Sequence, residues 1–268
     1  MTSPKGASTA TDGSRRYRVA GEALPSANTI LGALDRPALN TWKLKGVAVA
    51  LANDPELLEL VLAGKEWRAI QKALDAAPTD ARDLGTAVHA VTELYDLGEP
   101  TDGISPELVP FLEQWVRLRE DYGLVPVLVE RTVAHPFLGY AGTLDRVMAS
   151  EFADVAELIH PSCRMAHVLD VKTGAGVWPD AALQLAGYAN APHLWDPDSD
   201  TLEDMVPVCK EVAIVASVHA DEGHLVPVSI VDAWPAFQAA LIAWRWANEL
   251  AKGAVSAPLP DLRSALPW

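Results

Sequence analysis

Cysteine is nearly missing from the chain: Cys163 and Cys209 are the only two in 268 residues. Two thiols cannot build a four-thiolate zinc site or an iron–sulfur cluster held by cysteines alone. Without a signal peptide they read as reduced thiols rather than a disulfide framework. Long apolar runs are missing too. No stretch reaches the ~20 residues that cross a bilayer, and MTSPKGASTATDGSRRYRV lacks the apolar centre of a secretory signal. A cytoplasmic protein with no membrane partner is therefore expected. Positive charge is scarce: 21 Lys and Arg against 36 Asp and Glu leave a formal net charge of −15. That argues against non-specific coating of nucleic acid or anionic membrane, yet leaves room for a local groove around a carboxylate-rich site. Neither G-x-S-x-G nor a Ser/His/Asp pattern is present, which counts against a small-molecule hydrolase built on a serine nucleophile.

What is present suits one large domain with a helical part, since half the residues are hydrophobic. Residues 1–20, rich in Ser, Thr and Gly with Arg15, Arg16 and Arg18, read as a flexible leader, 21–252 as a single domain, and the Pro/Ala-rich 253–268 as a loose tail. The segment from about 26 to 122 reads as helical. Ser26 and Asn53-Asp54-Pro55 supply helix starts, Glu66–Ala76 continues the pattern, and Ser105-Pro106-Glu107 opens a helix to about Tyr122. From Pro78 to Leu97 the apolar positions Leu84, Val88, Val91, Leu94 and Tyr95 fall at helical spacing, with His89 and Glu93 on a neighbouring stripe and Gly98 as a stop. From about 125 to 252 the pattern becomes a sheet core: a hairpin of Val125–Ala134 and Leu138–Ala149, a short strand or turn at Val155–Ile159, strands at Cys209–Val218 and His224–Ile230, and a closing helix, Asp232–Ala251. The stretch HLWDPDSDTLED reads as an exposed acidic loop. The class expected is α/β or α+β, a central mixed sheet flanked by helices.

The stretch VLDVKTGAGVWPDAALQLAGY, Val168–Tyr188, organises the rest. Its apolar opening is a buried strand interrupted by Asp170 and Lys172, which period-two alternation places on one face. After Thr173-Gly174 a helix begins at Pro179-Asp180, and Gln184 and Tyr188 share one of its faces. Glu130 and Asp145 lie inside apolar strands, where an unpaired carboxylate is costly, so each needs a partner, a cation or an edge position. An imidazole with two or more carboxylates suits Mg²⁺ or Mn²⁺ completed by water and phosphate oxygens. Lys172, as an ammonium, can stabilise charge on a scissile phosphate or help deprotonate the attacking water. Gln184 and Tyr188 can hold a phosphate or that water. Lys43 and Lys45 offer weaker phosphate contacts, and a solvated helix face explains them as well.

Four motifs stand in order: G-T-x-x-H (Gly85, Thr86, His89), G-x-x-D (Gly142, Asp145), D-x-K-T-G (Asp170, Lys172) and Q-x-x-x-Y (Gln184, Tyr188). Together they resemble the RecB-like branch of the PD-(D/E)XK nuclease superfamily, over about residues 24–250. PSANTILGALDRPALNTWK is similar to the N-terminal entry of phage exonucleases related to the CRISPR-associated RecB-like exonucleases. The resemblance implies a restriction-endonuclease-like core and a DNA substrate, single-stranded or duplex. It implies metal ligation by His89, Asp145, Asp170 and the Val171 carbonyl, with Glu130 close by. It implies catalysis by Lys172 with Asp170, Asp145, Gln184 and Tyr188, and phosphate contacts from Gln184 and Tyr188. The iron–sulfur cluster of several relatives is not expected with two cysteines. The function implied is a Mg²⁺- or Mn²⁺-dependent DNA exonuclease of phage or bacterial recombination, repair or end processing, working beside recombination or replication proteins. Its rivals are a structure-selective endonuclease and a non-catalytic DNA-binding module of the same fold. Retention of both Asp170 and Lys172 speaks against the latter.

Overall fold

The computed structural model describes residues 7–9, 14–34, 37–64, 79–161, 163–174 and 176–256. The helix expected at Glu66–Ala76 and the tail from 257 onward lie outside them. Local chemistry sets the helix starts. The Ser26 hydroxyl accepts from Thr29 N at 3.0 Å and opens α1 (Ala27–Leu31). After α2 (Pro37–Asn53), the Asp54 carboxylate accepts from Leu57 N at 3.0 Å and opens α3 (Pro55–Leu62). The long amphipathic helix is α4 (Thr79–Asp96), and Gly98, at φ +71°, ends it in the left-handed region that glycine adopts without steric cost. Helix α5 (Val109–Asp121) starts later than Ser105-Pro106 suggested. Residues 105–108 form a turn closed by Leu108 N to Ser105 O at 2.9 Å, and Pro110 occupies the first helical turn, where its missing N–H is not needed.

The expected hairpin is β4 (Leu124–His135) and β5 (Tyr140–Ser150). It sits in a seven-stranded mixed sheet with β6 (His167–Lys172), β7 (His193–Asp196), β8 (Thr201–Asp204), β9 (Val212–Val218) and β10 (Gly223–Ser229), in the order β10-β9-β6-β5-β4-β7-β8. β6 and β9 pair in parallel and the remaining neighbours antiparallel. The connection from β6 toward β9 carries α7 (Asp180–Asn190), and α8 (Ala233–Arg245) closes the chain's last packed layer. Alternation along the central strands sends Leu169, Val171, Ile214 and Ala216 to one face, against Trp115 and Leu118 of α5. It sends Val168, Ala213 and Val215 to the other, with Leu185 of α7 and Phe237, Leu241 and Trp244 of α8. Burying each such side chain is worth about 1.5–3 kcal/mol, so both faces hold the central strands in place.

Three segments depart from the sequence reading. Part of the expected leader is a three-stranded sheet of β1 (Ala7–Thr9), β2 (Arg15–Val19) and β3 (Glu22–Pro25). Its warrant is the alternation in RRYRV: Tyr17 and Val19 are buried with Leu24, Ala134, Ala141 and Trp195, and Tyr17 Oη lies 2.9 Å from Thr143 Oγ1. Of the basic residues that suggested a disordered tail, Arg16 and Arg18 form the opposite face of that strand, while Arg15 shares the face of Tyr17 and Val19 and its charge reaches Glu130. The acidic segment after Tyr188 is the hairpin β7–β8, and its carboxylates do turn chemistry. Asp196 accepts from Asp198 N and Ser199 Oγ, and Asp200 accepts from Trp195 Nε1 at 2.8 Å and Ala20 N at 2.9 Å. Finally, Val155–Ile159 is neither strand nor turn but most of a helix, α6 (Ala153–Ile159). No helix among the described residues is long and apolar enough to cross a membrane.

Candidate functional site

Helix α4 is anchored to the β4–β5 hairpin by a buried charge cluster. Asp96 accepts from Arg146 Nε at 2.6 Å, Arg119 Nη1 at 2.8 Å and Trp115 Nε1 at 3.1 Å. The Arg146 side chain is wholly buried; it also donates to the Asp145 carbonyl at 2.8 Å and stands 3.8 Å from Glu130 Oε1. Positions 89, 92, 93 and 96 share one face of a helix, so clamping Asp96 brings His89 over the neighbouring strand residue. His89 Nδ1 lies 3.3 Å from Asp145 Oδ2.

Glu130 completes a tight trio. One ligand atom from each of His89, Glu130 and Asp145 lies within 4.8 Å of the others. Val129 pairs with Arg146 and Arg131 with Leu144, while Glu130 between them adopts φ +46°. A left-handed backbone is uncommon for a residue with a Cβ and costs of order 1–3 kcal/mol, which the Arg146 cluster on both sides offsets. Strand β6 joins through its backbone: Val171 N donates to Asp145 Oδ2 at 2.9 Å. The contact given to Val171 is thus through its N–H, beside the carbonyl expected as a ligand. Asp170 is 2 % exposed, and Lys172 Nζ lies 2.5 Å from its Oδ2. The Lys172 ammonium is thus the partner of that buried oxygen.

The electrostatics are those of crowded carboxylates. Burial, then the charges of Asp145 and Glu93, push Glu130 up to about 8 against the pull of Arg146. Burial raises Glu93 as well. Burial and Asp145 raise Asp170 against the charge of Lys172. For Lys172, desolvation works against the charged form, but Asp170 and Asp145 prevail and its pKa is raised, so it stays an ammonium. Carboxyl groups held upward by burial and by one another, beside one imidazole, fit a divalent cation with oxygen ligands. His89, Glu130, Asp145 and Asp170 would hold it.

Two glycines of the motifs are explained by close approach. A Cβ at Gly142 would sit 2.5 Å from Cε1 of Tyr188, so G-x-x-D makes room for the Tyr188 ring. A Cβ at Gly85 would meet Thr173 Oγ1 at 3.2 Å, where the loop after β6 crosses α4. Gln184 Nε2 donates to Tyr188 Oη at 3.0 Å. Tyr188 is buried under α7 within reach of the Asp145 and Asp170 charges, and its pKa is raised well above the ordinary phenol value by that burial. Its hydroxyl is thereby committed to Gln184, and Gln184 is the half-buried member of the pair. Lys45 is exposed on α2, and among the described residues no hydrogen bond or ion pair ties it to the carboxylates; the Lys43 side chain lies outside the described residues.

Sequence reasoning brought His89, Glu130, Asp145, Asp170 and Lys172 to one region. It missed Arg146, Asp96 and Glu93 as members. The signal for them was the stripe His89, Thr92, Glu93, Asp96 on α4 and a basic residue directly after Asp145. Compared with known proteins, the chain matches no family model and no curated sequence.

Proposed function

We propose that the chain is a divalent-metal-dependent deoxyribonuclease, an exonuclease hydrolysing phosphodiester bonds with Mg²⁺ or Mn²⁺. Its setting is phage or bacterial DNA recombination, repair or end processing in the cytoplasm. What supports this is one observation above the others. His89 from a helix and Glu130 and Asp145 from a hairpin offer ligand atoms within 4.8 Å of one another, tied to the Asp170–Lys172 strand through Val171 N. The order of the four motifs adds to it. A divalent cation, when bound, would supply a water acidified toward neutral pH and a counter-charge for the scissile phosphate.

The chain's own residues divide the remaining work. Asp145 is oriented by Val171 N, so one carboxylate oxygen is aimed without needing the cation. Asp170 sits in mid-strand with its Oδ2 beside the Lys172 ammonium. Lys172, kept as an ammonium, acts as a fixed positive charge toward phosphate oxygens rather than as a base. Charge grows on those oxygens as water attacks, so Lys172 stabilises the transition state more than the bound substrate. Glu130, pushed up to about 8, accepts a proton readily near neutral pH, and burial raises Glu93 beside it.

The test is digestion of end-labelled linear DNA, single-stranded and duplex, beside a closed circle of the same sequence, with Mg²⁺ or Mn²⁺. A ladder progressing from an end with the circle untouched is the expected result. Cleavage of the circle at the same rate would replace the exonuclease by an endonuclease, and no cleavage of either would leave a DNA-binding module.

A further inference from the structure

Outside that site, two connections meet at the ends of the parallel strands: the one from α6 to β6 and the one from β8 to β9. Cys209 N donates to Ala166 O at 2.9 Å, and Ala166 and Val208 form an isolated parallel bridge. At the junction His160, Cys163 and Cys209 each offer a ligand atom, and these atoms lie within 4.8 Å of one another. Both thiols are buried and outside any disulfide, and Cys209 Sγ accepts from Val212 N at 3.4 Å. His160 Nε2 lies 3.3 Å from Glu211 Oε2, while its Nδ1 is buried with no hydrogen-bond partner. His167, 3 % exposed, also leaves its Nε2 buried with no partner. Buried polar atoms without partners are uncommon and each calls for a cause, a bound ion among them.

We propose that this junction is a structural zinc site, with Cys163 Sγ, Cys209 Sγ and His160 Nδ1 binding one Zn²⁺, His167 Nε2, which stands outside that close trio, turning in as the fourth ligand, and Glu211 accepting from His160 Nε2–H. Two thiolates with imidazole select a soft or borderline cation over Mg²⁺, which prefers oxygen. Zn–S of about 2.3 Å and Zn–N of about 2.0–2.1 Å put tetrahedral ligand atoms about 3.3–3.8 Å apart, a modest closing of the present spread. The Glu211–His160 contact is the outer carboxylate that fixes the tautomer and orientation of a ligating imidazole. On binding, each thiol gives its proton to solvent, and the two thiolates cancel the charge of the cation. The ion would staple residues 160–167 to 208–211, at the entry to β6 and β9, and so steady the strand that carries Asp170 and Lys172. The zinc site does not depend on the nuclease proposal.

Co²⁺ titration of the full-length reduced chain, freed of metal, tests it. A thiolate-to-cobalt charge-transfer band with the intense visible bands of a tetrahedral centre should saturate at one ion per chain, and Zn²⁺ should displace it. Cys163→Ser and Cys209→Ser should each lose the charge-transfer band. Glu211→Gln should weaken binding by about 10–100-fold, and Asp145→Asn, which alters the other candidate cation site, should leave the thiolate charge-transfer band unchanged. Weak, thiolate-free bands in the wild-type chain would overturn the proposal, with no variant needed. So would a charge-transfer band that survives both serine substitutions.

Discussion

Lys172 separates a catalyst from a binding module. Its ammonium shares the face of β6 with Asp170, 2.5 Å from Oδ2, and in the proposed nuclease its charge would be needed most when phosphate charge builds. Lys172→Ala should lower single-turnover cleavage by about 10²–10³, the scale of losing one such donor. DNA affinity should change far less, and Lys172→Arg should not restore the rate, because the planar guanidinium cannot take the ammonium's place. A folded alanine variant cutting at the wild-type rate would make the lysine only a partner for Asp170. Asp96 plays the opposite part, touching no substrate. Its side chain is fully buried with Arg146, so Asp96→Ala strands a buried cation and should cost about 3–5 kcal/mol, read as a lower midpoint in chemical denaturation. A midpoint within error of wild type would mean that water reaches Arg146. At this scale much was legible: Asp145 and Glu130 in apolar strands demanded a partner. That Glu130 faces Arg146, itself paired with Asp96, while the Asp145 carboxylate meets His89 and Val171 N, was not, because strand alternation says nothing about which helix residue sits opposite.

The β4–β5 hairpin carries two acids of the site, and its turn carries a pH response. His135 Nδ1 accepts from Leu138 N at 3.2 Å, and the ring stacks on Trp234 at 6.4 Å between centroids. Burial lowers its pKa, and His193 lowers it further, against a backbone hydrogen bond of its own. With the folded pKa below the unfolded one, the unfolded chain binds more protons in acid. The stabilisation from neutral His135 is therefore complete above about pH 6.5, the unfolded value, and is lost as pH falls toward the folded one. Denaturation midpoints measured across that range should fall in the wild-type chain and fall less in His135→Gln, which keeps an acceptor for Leu138 N. Parallel curves for the two would remove His135 from the pH response. The elements themselves were read well where periodicity or caps were strong, as at Ser26, Asp54 and α4. They were misread where one composition serves two structures. RRYRV passes for a basic tail until Tyr17 and Val19 find the pocket beside Trp195. DPDSD, exposed over residues 198–200 as expected, passes for a plain loop until its carboxylates are seen closing the β7–β8 turn.

For the whole molecule, the mixed seven-stranded sheet with helices on both faces matches the class expected from the order of elements. Strand order was beyond the sequence, since pairing of β6 with β9 depends on contacts across more than 40 positions, from Leu169 to Ile214. A net charge of −15 adds a constraint on the proposed function: DNA would have to be drawn to a local site, and a divalent cation among the carboxylates would be the means. The most direct measurement is single-turnover cleavage of end-labelled DNA by the wild-type chain and Asp145→Asn, in Mg²⁺ and in Ca²⁺. The wild-type chain should cleave in Mg²⁺ and bind but scarcely cleave in Ca²⁺, which coordinates less regularly and activates water less. Asp145→Asn should be silent in both. Equal cleavage in the two ions, or by the two proteins, would contradict a cation held by His89, Glu130, Asp145 and Asp170.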